Sequence, residues 1–198
     1  MKNLMKLTVL VLVAAFVFSA CGMKPTKAVD DAKATIEGLA KEGADKYAPE
    51  EFKKLNDSLT AALDEIKGQE GKLFKKFGKA TELLAQVKTD AEALKAALPA
   101  KIEAAKNAAM ALQTEAQAAL KDAEALLKKA PMGKGTKADI EAFKADLKGL
   151  NDAFPQIQTA LDAKDYVGAA DQAKAIKDKA MSIVEQINAA IAKVKGKK

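Results

Sequence analysis

Residues able to do chemistry are few in this chain, and one of them stands apart. Cys21 is the only cysteine, and it follows closely on an apolar run, Leu7 to Phe18. Histidine is absent, which removes histidine-based triads, acid–base pairs and zinc sites. The serines beyond Cys21 are Ser58 and Ser182, both in stretches with helical spacing and without an activating base. Gly133-Lys134-Gly135-Thr136 has a superficial likeness to a phosphate loop. It lacks the Gly-x-x-x-x-Gly-Lys-Ser/Thr spacing and no strand precedes it, so it reads as a connector. Acid pairs such as Asp64 and Glu65, or Asp139 and Glu141, lie off the apolar stripes and suit a solvated helix face better than a di-metal bundle. Met110 and Met181 read as core filler. No set of residues fills the roles that catalysis requires. The expectation is a non-enzymatic protein, with no cofactor and no metal implied.

The surroundings of Cys21 carry more information. Met1 to Lys6 holds Lys2 and Lys6, and the apolar run that follows is about a dozen residues, short of the roughly 20 that span a bilayer. A positive start, a short apolar stretch and small residues before a cut describe a secretory signal over residues 1–20. An ordinary signal peptide would leave a spare thiol, a liability in an oxidising compartment. Phe18-Ser19-Ala20-Cys21 resembles the lipobox of bacterial lipoprotein precursors. Phe18 stands where that family usually has Leu, while Ser19 and Ala20 fit. The resemblance implies a diacylglycerol thioether on Cys21, cleavage before it, and acylation of the new amino group with a chain such as palmitate. Each buried methylene contributes about 0.8 kcal/mol, and one acyl chain holds only marginally, so two or three on one residue make a lasting anchor. Gly22 follows where Asp often marks inner-membrane retention in the family. This implies a place at the periplasmic face of the outer membrane.

The elements that such an anchor would hold are helices. Alanine and lysine dominate, both strong helix formers, and no stretch shows β-branched, turn-punctuated strands. Apolar residues reach 49% and charged residues 30%, enough for a core. The charge is nearly balanced at +6, with 27 acids against 33 basic residues that are all lysine. Without arginine, a one-sided basic stripe or stacking aromatics, nucleic acid is not an expected partner.

Residues 21–28 read as a lipidated tether and 29–196 as a helical domain. The periodicity starts with Val29, Ala32, Ile36, Leu39, Gly43 and Tyr47 on one stripe. Pro49, with Glu50 and Glu51 behind it, marks a helix start, continued by Phe52, Leu55, Leu59, Ala62 and Ile66. Gly68 and Gly71 mark a turn. A long helix is expected from Lys72 to about Ala130, its stripe taking in Phe74, Phe77 and Leu84, with a kink or short break at Pro99. Ala130-Pro131-Met132-Gly133-Lys134-Gly135-Thr136 is the clearest loop. Ile140 to Leu161 keeps heptad spacing through Pro155, which favours a bent helix over two separate ones. After Ala163-Lys164-Asp165 the last helix carries Tyr166 to Val194. The fold class expected is all-α: an elongated bundle or hairpin array of four to six amphipathic helices. Phe52, Leu55 and Leu59 align with Ile140, Phe143 and Leu147, and Phe77 to Ile102 aligns with Tyr166 to Ile191. This suggests two similar hairpins, residues 49–103 and 137–192, although any two heptad helices match in some register.

The segment from about Ala28 to Leu98, centred on Tyr47-Ala48-Pro49-Glu50-Glu51-Phe52, resembles a family of helical bacterial envelope lipoproteins without assigned activity. The two chain ends together resemble the major outer-membrane lipoprotein family, whose terminal lysine is joined to peptidoglycan, and Lys198 would be the corresponding residue. A solvated basic end complementing the helix dipole explains Lys193, Lys195, Lys197 and Lys198 as well. The functional expectation is a structural or scaffold element, membrane-bound through lipid on Cys21, that contacts another helical protein or itself. A carrier of an apolar small molecule or lipid and a cell-wall tether through Lys198 are the alternatives. If the tether exists, digestion of purified cell wall yields a carboxy-terminal peptide bearing a muropeptide on Lys198 by mass spectrometry; a carboxyl end that is free throughout removes it.

Overall fold

The computed structural model describes residues 23–130 and 136–195. It is all-α, 89% helical, with no strand among the described residues. The elements are α1 (Thr26–Lys41), α2 (Ala44–Tyr47), α3 (Pro49–Glu70), α4 (Gly78–Lys129), α5 (Lys137–Ala153), α6 (Pro155–Asp162) and α7 (Tyr166–Lys195). The chain divides into two compact units at Lys101/Ile102, within α4.

In the first unit, α1, α2, α3 and the amino-terminal part of α4 bury one stripe each. Val29, Ala32, Ile36 and Leu39 face inward from α1, Leu55, Leu59, Ala62 and Ile66 from α3, and Phe77, Ala80, Leu84, Val87, Ala91, Leu94 and Leu98 along α4 and its approach. Beyond Leu39 the stripe departs from the sequence reading. Ala44 and Ala48 are buried, whereas Gly43 and Tyr47 are only half-buried. The cause is a break: α1 ends at Lys41, and Gly43 takes a left-handed conformation, φ +88°, before α2 restarts the helix one residue out of phase. Pro49 opens α3 as expected, its missing N–H falling where no intrahelical partner exists.

The long helix also starts later than expected. Lys72 to Phe77 form a non-helical segment, α4 begins at Gly78, and Phe74 is exposed rather than on the buried stripe. Pro99 lies inside α4 without interrupting it, so the short break allowed for there does not occur. Pro99 is exposed, and the carbonyl it leaves without an amide partner, that of Lys95, can turn to water.

In the second unit, Ala109, Ala116, Leu120 and Ala123 of α4 join Phe143, Leu147 and Leu150 of α5, Ile157 of α6, and Ala169, Ala173, Ile176, Ala180, Ile183 and Ile187 of α7 in one cluster. Residues 102–129 thus contribute to this unit's core. Pro155 separates α5 from α6, where a single bent helix was expected. It offers no N–H to the Asn151 carbonyl, so the ladder stops. Phe154 nevertheless stays helical at φ −56°, ψ −40°, which carries the apolar phase from Leu150 to Ile157. α6 closes through Lys164 at φ +59°, with the Asp165 amide donating to the Ala160 carbonyl at 2.9 Å, a Schellman closure built without glycine.

Of the positions aligned between α3 and α5, Leu55 and Phe143, and Leu59 and Leu147, are buried in both units, whereas Phe52 is half-buried where Ile140 is buried. Those aligned between α4 and α7 are buried in both from Ala80 and Ala169 to Leu98 and Ile187.

Two substitutions probe this packing. Ile187→Ala, at a fully buried site, is expected to cost about 2–5 kcal/mol in urea unfolding, whereas Met181→Ala, half exposed on the same helix, changes stability by less than about 0.5 kcal/mol. Gly43→Ala loses about 1–2 kcal/mol for the left-handed backbone alone, and its new methyl would also lie 3.1 Å from the Tyr47 ring.

Candidate functional site

Cys21 and Lys198, the two residues singled out for covalent attachment, lie outside the described residues, as do residues 1–20, expected to be a signal segment, and Pro131 to Gly135 of the connector. Thr136, last residue of that connector, is buried and precedes α5, its carbonyl accepting from the Ile140 amide at 2.9 Å. The first described residue is Met23, which is 78% exposed.

The chain next to Met23 is fixed to the end of α3. Lys24 Nζ lies 2.6 Å from Glu70 Oε1. The Lys24 ammonium, by hydrogen bond and charge, holds the Glu70 carboxyl below its ordinary value, and Lys75 and Lys67 add to the effect from farther away. One turn earlier, Glu65 accepts from Gln69 Nε2 at 2.9 Å and pairs with Lys79 at 3.1 Å. The Gln69 hydrogen bond, then Lys79, lower the Glu65 pKa. Gln69 is buried and its Oε1 accepts from the Lys76 amide at 3.3 Å. The two acids and one amide of α3 thus form a polar clamp on the amino-terminal segment and the α3–α4 connection, in which the exposed Lys24–Glu70 pair is itself weak. Sequence reasoning missed this clamp, because Glu65, Gln69 and Glu70 occupy the last two turns of α3 and Lys24, Lys76 and Lys79 come from outside that helix.

Elsewhere, ion pairs tie exposed helix faces together. Lys101 reaches Glu51 and Lys177 reaches Glu115, each at 2.6 Å. The Lys101 hydrogen bond, chiefly, lowers the Glu51 pKa, and the Glu115 hydrogen bond raises that of Lys177. These are exposed pairs and stabilise weakly.

The remaining sequence candidates are scattered. Ser58 is half-buried on α3, while Ser182 is exposed on α7 and accepts from Gln186 at 3.2 Å. Met110 and Met181 are half exposed, not core filler as expected, because each sits one position from a buried alanine, Ala109 or Ala180, on the outer side of its stripe. Among the described residues no group of acids, cysteines or histidines is arranged to hold a metal ion, and no helix is long and apolar enough to cross a membrane. Within the second unit, an open groove of about 780 Å³ runs between α5 and α7, with Leu150, Ile176 and Ile183 at its floor and Gln172, Lys179 and Gln186 among its polar lining.

No family model matches the chain, and no curated protein or solved structure does either. The lipobox-like quartet and the Tyr-Ala-Pro segment stand on their residues alone.

Because pairing lowers the Glu70 pKa, its contribution to stability is present above the unfolded carboxylate value and is lost as pH falls through the lowered folded value. A carbon-detected NMR titration should place the Glu70 midpoint below the ordinary glutamate value, and Lys24→Met should move it upward. An unchanged midpoint in that variant would remove the clamp.

Proposed function

We propose that this is a lipid-anchored protein of the bacterial envelope, attached through Cys21 to the periplasmic face of the outer membrane and acting without catalysis as a structural or scaffold element. One observation carries the reading: a positively charged start, a short apolar run and Phe18-Ser19-Ala20-Cys21 in immediate succession. Placement of the chain beside Cys21 is compatible with it, since Lys24 fixes the amino-terminal segment to a helix end and leaves Met23 exposed. The working surfaces are the helix faces, which would engage another helical protein or a second copy.

The groove between α5 and α7 favours a second reading, a carrier of an apolar molecule. Its volume is within the range of small-molecule sites, and Asp146, Lys179 and three glutamines border an apolar floor. Native mass spectrometry of the delipidated protein separates the two: a co-purifying lipid indicates the carrier, a stable oligomer the scaffold.

Growth with an alkyne-bearing fatty acid tests the anchor. The wild-type chain is expected to take up label and Cys21→Ser to take up none. An unlabelled wild-type chain would overturn the proposal.

A further inference from the structure

The connection between α3 and α4 presents an arrangement that the anchor reading does not use. Leu73 and Phe74 are 91% and 80% exposed. With Met23, they are the most exposed large apolar side chains among the described residues. The other described phenylalanines are buried, as Phe77 and Phe143 are, or half-buried, as Phe52 and Phe154 are. Lys72, Lys75 and Lys76 flank the pair, and no acid occurs between Gly71 and Thr81. Glu70 and Glu65 take Lys24 and Lys79 as their ion-pair partners, and Lys75 and Lys72 act on them only from farther away.

The exposure is built in at both sides of the loop. On one side the Lys72 amide donates to the Gln69 carbonyl at 3.1 Å, and on the other the Lys76 amide donates to the Gln69 side chain. Phe77, 1% exposed, then inserts into the core and begins the buried stripe of α4. Turning Phe77 inward leaves Leu73 and Phe74 on the solvent side. A short loop that holds two large apolar side chains outward between exposed lysines matches an anionic bilayer surface. The apolar pair suits the boundary between headgroups and acyl chains, and the lysines suit the negative surface potential. Position agrees with charge: Lys24 pairs with Glu70 immediately before the loop, and three residues of chain, Cys21 to Lys24, reach at most about 10 Å.

We infer that Leu73 and Phe74, framed by Lys72, Lys75 and Lys76, form a membrane-docking loop that inserts into an anionic lipid surface. The loop adds a second, noncovalent contact at the end where the anchor attaches. It turns a single point of attachment into a two-point contact that orients the first unit on the bilayer. Its location beside the anchor rests on the lipid reading of Cys21; its affinity for anionic lipid does not.

The chain has no tryptophan, so Phe74→Trp supplies a unique fluorophore at an exposed position. The variant is purified as the full processed protein and mixed with vesicles of phosphatidylcholine, with or without phosphatidylglycerol, carrying brominated acyl chains. The inference expects a blue-shifted indole emission that is quenched in phosphatidylglycerol vesicles, and loss of that quenching when Lys72, Lys75 and Lys76 are all changed to Gln. Protein that floats with vesicles of both kinds while its indole stays unquenched overturns the docking loop and leaves the anchor standing. Protein that floats only with phosphatidylglycerol vesicles, with a quenched indole, supports the loop and counts against the anchor. Each lysine lost should then weaken binding about fivefold. Equal quenching in phosphatidylcholine alone, or no flotation with either, overturns the inference.

Discussion

Where helices of this chain meet, a position that might hold leucine very often holds alanine. Ala32, Ala44, Ala48 and Ala62 in the first unit, and Ala109, Ala116, Ala123, Ala169, Ala173 and Ala180 in the second, are almost completely buried. Such small side chains let neighbouring backbones come close, but each removes little apolar area from water. At about 25 cal/mol per Å², most of the hydrophobic stabilisation must come from the larger residues between them. Leu39, Phe77, Val87 and Leu98 serve in the first unit, Ile157 and Ile187 in the second. Everything else in the structure depends on keeping these two kinds of residue on one stripe, at steps of three and four, across each break in the helices.

The breaks show how that constraint is met. Gly43 ends the α1 stripe with a left-handed turn, and the burial pattern resumes on Ala44 and Ala48. Phe154 stays helical beside Pro155, so Ile157 follows Leu150 at the heptad interval. Between α3 and α4 a different solution appears. Gln69 and Phe77 hold the phase from either side, and the residues between them are released from packing. That release gives the loop its exposed leucine and phenylalanine.

Much of the fold was legible because heptad spacing is a strong signal. The inward faces of α3, α5 and α7 follow Leu55 to Ile66, Ile140 to Leu150, and Ala169 to Ile187 as read from the sequence. The misreadings have one cause. Periodicity counts residues and is blind to conformation between helices, so Phe74 fitted a helical step that the chain never takes, and Gly43 and Tyr47 fitted a stripe that the turn displaces. Pro155 was read as a bend because the phase survives it, although the hydrogen-bond ladder does not. Met110 and Met181 were assigned to the core by residue type, although each lies one step off its stripe. The clamp of Lys24, Glu65, Gln69 and Glu70 was illegible, since partners from distant segments leave no mark in local spacing.

The functional account joins a covalent address to a helical body whose polar surface is laced with weak, exposed ion pairs such as Lys53 with Asp57 and Lys148 with Asp152. These pairs keep the faces solvated and add little to stability, so the account gives the decisive role to the membrane end. Intact-mass spectrometry of the protein extracted from native membranes tests that role most directly. The account predicts a chain beginning at Cys21, heavier than its amino-acid sequence by a diacylglyceryl group and an acyl chain. A mass equal to that of an unmodified chain, whichever residue it starts from, would contradict it.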